Sequence, residues 1–213
     1  MGPRPVEEGG SRSQLAQLVR ATGETCADAL SPFVEVDWRA TAARDLAWSV
    51  WDTVVHVVDD LYFYAAQVLL ADEDDYICFE AKADGHADPS RLLAALRVHA
   101  RLLAGVVETA DPSTRGYHVH GVSDPVGFGA MGIVECLVHT FDAVHGVDGG
   151  SSWLPPDHLA RPALTRLFRD LPVDTSAGAG EQLLHLCGRI PLGDQPRLTE
   201  WRWYGEPLGD APD

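Results

Sequence analysis

The chain has 213 residues, which is enough to bury a hydrophobic core without disulfide or metal staples. Apolar residues make up 46% and charged residues 23% of the sequence, as in ordinary soluble globular proteins. Acidic residues outnumber basic ones by 32 to 16, and the resulting net charge of −16 repels nucleic-acid backbones and anionic membranes, so we expect neither as a partner.

The N-terminal region is expected to lead from disorder into a first helix. Residues 1–10 are rich in Pro, Gly and Glu and are expected to be disordered, with a single domain over residues 11–205. Residues 11–30 carry Leu and Val at helical spacing, which predicts an amphipathic helix that ends before Pro32. No apolar signal segment precedes it and no apolar run approaches ~18 residues, so we expect a cytoplasmic protein without a membrane span.

Two further helices are predicted from their capping residues. A helix over residues 49–70 begins at Ser49 with an S-x-x-D capping signature. It is apolar on nearly all sides, which predicts a position at the centre of a bundle. Residues 75–83 alternate as a short strand or an extended connector would, and Asp88 with Pro89 then begins a third helix.

The C-terminal half is predicted to add one long helix and two short ones. The long helix covers residues 124–145 and starts with the same Asp-Pro pair. The short helices are predicted over residues 157–170 and 180–188, and the tail with Trp201 and Trp203 predicts a terminal strand or a strap over the bundle. Four long helices with short connections predict a helix bundle.

The cysteines are far apart in the sequence and form no C-x-x-C pair. This spacing argues against a disulfide framework and against an all-cysteine zinc site. We therefore expect reduced cysteines, as in cytoplasmic proteins. The residues concerned are Cys26, Cys78, Cys136 and Cys187.

The segment 134–146, VECLVHTFDAVHG, combines apolar residues with groups that bind protons and metals. Glu135 and His139 are four residues apart and therefore share one face of the predicted helix. Their Val, Leu and Phe neighbours predict burial, where an ionised carboxylate needs a partner or a metal. His56, in the apolar stretch VVHVV of the second helix, is predicted to face them.

These three side chains supply two imidazoles and one carboxylate, which are common metal ligands. For Zn²⁺, three protein ligands and an open fourth position are typical of catalytic sites, whereas structural sites are closed by four ligands. Non-haem Fe²⁺ uses the same ligand types, so the residues alone leave the metal open. The alternative is that both histidines are hydrogen-bonded core residues and that no metal binds.

Other polar residues are candidates for supporting roles. Asp60 and Asp142 are candidates to hydrogen-bond a ligating imidazole and thereby fix its tautomer. His118 and His120, two residues apart in the loop GYHVHG, are candidates for the mouth of a binding pocket or for the surface. His145, near the end of the fourth helix, is expected to interact with the helix dipole.

The stretches LAWSVWDTVVHVVDDLYFYA and DPVGFGAMGIVECLVHTFD, with the later LCGR and WRW, resemble the DinB/YfiT-like superfamily. Within it they are most similar to the mycothiol-dependent maleylpyruvate isomerase-like proteins of actinobacteria, from about Leu15 to Trp203. The resemblance implies an all-α fold, a four-helix bundle with a short extra C-terminal helix and minor strand elements. It also implies a divalent metal, usually zinc, held by His56, Glu135 and His139.

The resemblance further implies that mycothiol, a low-molecular-weight thiol, is a cosubstrate in S-transfer to, or isomerisation of, a small electrophilic substrate. The maleylpyruvate isomerase typical of the family has an additional C-terminal domain with an active-site arginine, and no equivalent is evident in this sequence. Maleylpyruvate isomerisation itself is therefore not expected. Arg44, Arg115 and Arg189 are the candidates for binding a substrate carboxylate.

Three functions follow from these patterns. The favoured one is a metal-dependent transferase or isomerase that takes a thiol and a small molecule as partners. In a metal-dependent hydrolase, the open position would instead be used by water. In a non-catalytic, small-molecule-binding or stress-response bundle, the metal would be structural or absent.

Overall fold

The computed structural model describes residues 8–168 and 176–207. The described residues form six α-helices and no β-strand, which confirms the predicted all-α class. The helices are α1 (Glu8–Leu30), α2 (Val50–Leu70), α3 (Pro89–Thr109), α4 (Pro125–Val147), α5 (Asp157–Leu167) and α6 (Ala179–Leu186). A 3₁₀ turn, Ser31–Phe33, follows α1.

The first four helices form the bundle. Helices α1 and α2 each pack against both α3 and α4, so the two pairs alternate around a shared core. Helix α5 packs against α4, and the short helix α6 packs against α5. The architecture is therefore a helix bundle with two additional helices beside α4.

Side-chain caps explain where three of the bundle helices begin. The Asp52 amide donates to Ser49 Oγ (3.1 Å), the Arg91 amide to Asp88 Oδ1 (2.9 Å) and the Gly127 amide to Asp124 Oδ1 (2.6 Å). Such a cap stabilises a helix by about 0.5–2 kcal/mol, because it satisfies a backbone donor that has no partner within the helix.

The ends of the predicted helices shift by a few residues. Helix α1 begins at Glu8, ahead of the expected start at residue 11, and α5 ends at Leu167 rather than at residue 170. The expectation of disorder over residues 1–10 falls mainly on residues 1–7, which lie outside the described part of the chain.

Helix α4 is the centre of the core, since every residue from 127 to 144 is buried. Gly132 allows α4 to approach α3 and α2 closely, because a Cβ there would lie 2.5 Å from Leu103 Cδ2 on α3 and 3.1 Å from Leu61 Cδ2 on α2. By length and apolar composition alone, α2 and α4 are each long enough to cross a membrane. Within the bundle, however, 94% of the most apolar window of α4 and 50% of that of α2 are buried.

The predicted minor strand elements are wrong for the described residues, which contain only three isolated β-bridges. Residues 75–83 form an extended connector because side chains of α2 bind its backbone: Asp59 accepts from the Ala81 amide and Gln67 from the Ile77 amide. Residues 201–207 of the tail contain no strand either, so the alternative prediction of a strap over the bundle is the one that fits the tail. All four cysteines are free, as predicted.

The segment between α1 and α2 folds back over the C-terminal end of α4. The Arg44 amide donates to the Asp142 carbonyl (2.9 Å), which fixes this segment beside the last turns of α4. Gly146 permits the contact, because a Cβ there would lie 2.5 Å from the Ala42 carbonyl oxygen. At the end of this segment, Trp48 lies immediately before Ser49, the N-cap of α2.

Replacing Gly146 with Ala should therefore destabilise the protein, although Ala normally favours a helix. We expect a loss of about 1–3 kcal/mol in the free energy of unfolding, because the new Cβ meets backbone rather than a flexible side chain. Gly105→Ala in α3 is the matched control, since nothing lies within 4 Å of its added Cβ. That variant should gain up to about 1 kcal/mol. Urea denaturation measures both, and a Gly146→Ala variant as stable as Gly105→Ala would contradict the packing described.

Candidate metal centre

His56 on α2 converges with Glu135 and His139 on α4. Glu135 Oε2 lies 3.2 Å from His139 Nε2 and 3.5 Å from His56 Nε2. One ligand atom from each residue lies within 4.8 Å of the other two. Glu135 and His139 are 8% and 9% exposed, whereas His56 is half-buried.

The donor atoms fit a divalent cation. Zn–N and Zn–O bonds of about 2.0–2.2 Å put neighbouring ligand atoms of one ion about 3.0–3.6 Å apart. The two distances from Glu135 Oε2 fall in this interval. The chemistry of the set fits as well, since two imidazoles and a carboxylate suit zinc and other first-row divalent metals. The cluster of His56, Glu135 and His139 can therefore hold a metal ion.

The cluster forms one side of a cavity of about 320 Å³. The remaining wall is mostly apolar and comes from three parts of the chain: the segment before α2, helix α4, and residues 189–203. The residues other than the cluster are Leu46, Ala47, Trp48, Val134, Val138, Arg189, Trp201 and Trp203. A bound metal would thus face an apolar chamber large enough for a small molecule.

Asp142 holds His139 in the orientation that a metal ligand requires. His139 Nδ1 lies 3.1 Å from Asp142 Oδ2, which leaves Nε2 directed toward Glu135. Asp142 is itself 1% exposed and accepts hydrogen bonds from Arg189, with Nη2 at 2.8 Å from Oδ2 and Nε at 3.2 Å from Oδ1. The predicted contact between Asp142 and a ligating imidazole is therefore present, supported by an arginine.

Asp60 has a different geometry from the one expected of a supporting carboxylate. Its Oδ2 lies 3.2 Å from His56 Nε2, the same nitrogen that faces Glu135, rather than from Nδ1. Asp60 therefore does not fix the tautomer of His56 through a hydrogen bond with Nδ1; it lies beside the cluster. Burial and the neighbouring charge of Glu135 raise its pKa well above the usual range for an aspartate.

In the metal-free cluster, Glu135 and His139 stabilise each other's charged forms. Burial alone would raise the pKa of Glu135, but hydrogen bonds with His139 and His56 outweigh it and keep the pKa well below its usual range. Burial alone would lower the pKa of His139, but its bonds with Asp142 and Glu135 raise that pKa to about 9. An ionised carboxylate thus lies against an imidazolium at neutral pH, and a cation that binds Nε2 replaces its proton.

The other predicted histidines do not line this cavity. His118 is buried and His120 is half-buried, and their rings lie 6.0 and 5.7 Å from the ring of Trp203, which does line it. His145 Nδ1 lies 2.9 Å from the Phe141 carbonyl oxygen, within the last turns of α4.

Among the three candidate arginines, Arg189 lines the cavity. Arg44 lies over the ring of Phe141, with its guanidinium carbon 5.1 Å from the ring centroid. Arg115 donates to the Pro112 and Thr114 carbonyls. The cavity wall thus distinguishes Arg189 from the other two.

Sequence reasoning missed two contributors to the site. Trp48 immediately precedes Ser49, the cap of α2, and its ring centroid lies 4.8 Å from that of His56. In the sequence, only its position next to the capping serine could have indicated this role. Tyr64 is buried, and burial together with the charge of Glu135 raises the pKa of its hydroxyl. Its spacing of eight residues from His56 indicates the same face of α2.

Removing a ligand and removing its support should weaken metal binding to different extents. We expect Glu135→Gln to abolish stoichiometric zinc binding, because the amide cannot supply the negative charge that the cation requires. Asp142→Asn should weaken binding by about 10- to 100-fold, as is usual when the hydrogen-bond partner of a ligating histidine is changed. Competition with a chromophoric chelator measures both affinities.

His99→Gln is the control, because His99 lies on α3 and lines a different cavity. It should bind zinc as the wild type does. Unchanged affinity in Glu135→Gln would contradict the assignment of the ligands.

His118, which is not one of the candidate metal ligands, gives a further pH dependence of stability. Burial, together with the charge of His120, lowers the pKa of His118 to about 4, although Glu135 acts in the opposite sense. Around its ring lie His120, Tyr64, Tyr76, Phe128 and Trp203. Since an unfolded histidine has a pKa of about 6.5, the unfolded state binds the proton first as the pH falls.

His118 should therefore lower the free energy of unfolding of the metal-free protein by up to about 3 kcal/mol between pH 6.5 and pH 4. His118→Asn retains an acceptor for the His120 amide, which donates to His118 Nδ1 (3.1 Å). We expect a smaller fall for this variant in urea denaturation at the two pH values. Equal falls in both proteins would contradict the lowered pKa.

Comparisons of the chain with protein-family models, with curated proteins and with solved structures find no match. The DinB/YfiT-like resemblance therefore stays an expectation from the quoted motifs. The helix bundle and the convergence of His56, Glu135 and His139 stand on the structure itself.

Proposed function

We propose that the chain is a divalent-metal-dependent enzyme, with zinc as the metal, that uses a low-molecular-weight thiol to modify a small electrophilic substrate. One observation carries the proposal: a two-histidine, one-carboxylate cluster lies at the wall of an apolar cavity of about 320 Å³. Three protein ligands leave a position for an exogenous group, which is typical of catalytic sites.

The cation would contribute one property. A free thiol has a pKa near 8.5 and is mostly protonated at neutral pH. Zn²⁺ accepts sulfur ligands and lowers the pKa of a thiol that binds to it. With Glu135 as the single ligand carboxylate, the cation and its three ligands together carry a net positive charge, which favours an anion such as a thiolate. Asp142 does not cancel that charge, because it is paired with Arg189.

The proposed reaction forms a bond between the thiol sulfur and an electrophilic carbon. In a transfer, the thiol loses its proton to solvent, the sulfur donates an electron pair to the carbon, and the leaving group departs with the electrons of the broken bond. In an isomerisation, the sulfur adds to a conjugated double bond and is later expelled, which regenerates the thiol. The residues of the chain hold the cation and exclude water through the apolar wall.

The resemblance to the mycothiol-dependent family favours mycothiol as the thiol. It also favours a cytoplasmic location, where such thiols remain reduced. The buried cysteines do not replace an added thiol, since Cys26, Cys136 and Cys187 are at most 1% exposed. Burial also raises the pKa of the Cys187 thiol, which disfavours its nucleophilic form.

Thiol-specific stabilisation tests the proposal. The zinc-loaded full chain should gain about 2.7 kcal/mol at a mycothiol concentration 100 times the dissociation constant, and it should gain none from S-methyl mycothiol. Thermal unfolding in the presence of each compound measures the difference. Equal stabilisation by the two compounds, or none by either, would contradict the proposal.

Two controls separate the alternatives. His56→Ala should lose zinc and the response to mycothiol together, whereas His99→Gln should retain both. Hydrolysis of p-nitrophenyl esters by the zinc-loaded chain without added thiol would favour a metal-dependent hydrolase over the thiol-dependent enzyme. A His56→Ala variant that is less stable but still binds the same small molecules would favour a non-catalytic bundle.

A further inference from the structure

Three of the six tryptophans of the chain line the cavity of the metal centre. Trp48 is 43% exposed and Trp201 is 40% exposed, whereas Trp203 is buried. Large aromatic side chains that remain open to solvent at a concave site are typical of ligand-binding surfaces.

The three rings come from two distant segments. Trp48 precedes α2, and its ring centroid lies 4.8 Å from that of His56 and 6.1 Å from that of His139. Trp201 and Trp203 lie in the tail, with their ring centroids 5.8 Å apart. Aromatic surface therefore borders the candidate metal ligands from one segment and continues on another.

The tail is fixed before any ligand arrives. Arg166 on α5 is 8% exposed, and its guanidinium donates to the Gly205 carbonyl (2.8 Å) and the Glu206 carbonyl (3.1 Å). The same guanidinium pairs with Asp124, the N-cap of α4 (2.9 Å). These bonds tie the tail to the helix that carries Glu135 and His139, so the aromatic wall is preorganised and little ordering is needed on binding.

The cationic groups of the cavity are already compensated. Among the described residues that line it, Arg189 is the only Arg or Lys, and Asp142 binds its guanidinium through two oxygens. A further donor of Arg189, Nη1, is bound to the Cys187 carbonyl (2.8 Å). With the proposed thiol in the open position on the metal, a substrate carboxylate would find no unpaired cation among the residues of the wall and would lose its hydration.

Building on the proposed function, we infer that the electrophilic substrate is a flat aromatic compound without a carboxylate, bound among Trp48, Trp201 and Trp203. Rings of this kind pack edge-on or offset against indoles and gain affinity beyond their buried area. The apolar wall formed by Val134 and Val138 is compatible with such a ring and offers no hydrogen bonds.

Binding of unreactive probes tests this inference without catalysis. On the zinc-loaded full chain we expect nitrobenzene to bind at least about fivefold more tightly than nitrocyclohexane, which has the same polar group on a ring that is not flat. On the metal-free chain, where His139 and Arg189 are already paired with carboxylates of the protein, 3-nitrobenzoate should bind no more tightly than nitrobenzene. NMR titration gives the dissociation constants.

Variants locate the binding surface. Trp201→Ala should weaken nitrobenzene binding by about 2- to 12-fold, the range expected for the loss of one aromatic pair. Phe79→Ala is the matched control, because Phe79 is 60% exposed and does not line the cavity. Equal binding of the two nitro compounds, tighter binding of 3-nitrobenzoate, or equal effects of the two variants would overturn the inference.

Zinc content and stabilisation by mycothiol, measured on the same samples, separate this inference from the proposed function. If both are present and the preference for nitrobenzene is absent, the aromatic substrate class is wrong and the thiol-dependent function stands. If the preference is present and mycothiol has no effect, the aromatic cavity stands and the proposed use of a thiol is wrong.

Discussion

The burial of one ionised carboxylate dominates the organisation of this bundle. Glu135 lies within α4, the most buried helix, where an unpaired negative charge would be strongly unfavourable. Its compensation comes from His139 one turn later and from His56 across the interface with α2. The relative position of the two helices and the polarity of the cavity therefore depend on the same charge.

A second set of opposite charges stabilises the first. Asp142 is almost fully buried and is satisfied by His139 and by Arg189, which approaches from the segment after α6. Burial alone would lower the pKa of Arg189, but its bond with Asp142 raises that pKa and keeps the guanidinium charged. The chain beyond the four-helix bundle thus takes part in the electrostatics of the core, and α6 is more than a peripheral addition.

Local patterns were sufficient to predict the helices and the central cluster. The capping residues Ser49, Asp88 and Asp124 marked the helix starts because capping is an interaction over three residues. The spacing of Glu135 and His139 indicated a common face of the helix, because side chains four residues apart lie one turn above each other. The partner on α2 could be inferred because a buried imidazole and a buried carboxylate both need compensation.

Long-range contacts could not be predicted in this way. Arg189 is 47 residues from Asp142, and among three candidate arginines no local signal distinguished it. The alternation in residues 75–83 suggested a strand, but a strand needs a neighbour, and the available partners were side chains of α2. The convergence of Trp48 with the tail depends on how the loops cross the bundle, which helix periodicity does not report.

The tail itself contains an unusual compromise. The indole nitrogen of Trp203 is buried, and no acceptor reaches it within the described part of the chain. An unpaired buried donor generally costs about 1–3 kcal/mol, and the multiple bonds from Arg166 to the neighbouring backbone offset that cost. The aromatic wall is thus held by its backbone rather than by the polar atom of its own ring.

This arrangement divides the cavity between two kinds of chain segment. The groups that can chelate a cation lie on rigid core helices, where almost any exchange disturbs packing, whereas the aromatic rings lie on a loop and on the tail. Replacements at residues 48 and 201, which are both exposed, can therefore vary the shape of the chamber while the chelating groups stay in register. Such a scaffold would let related sequences diversify in what they accept without reinventing their chemistry.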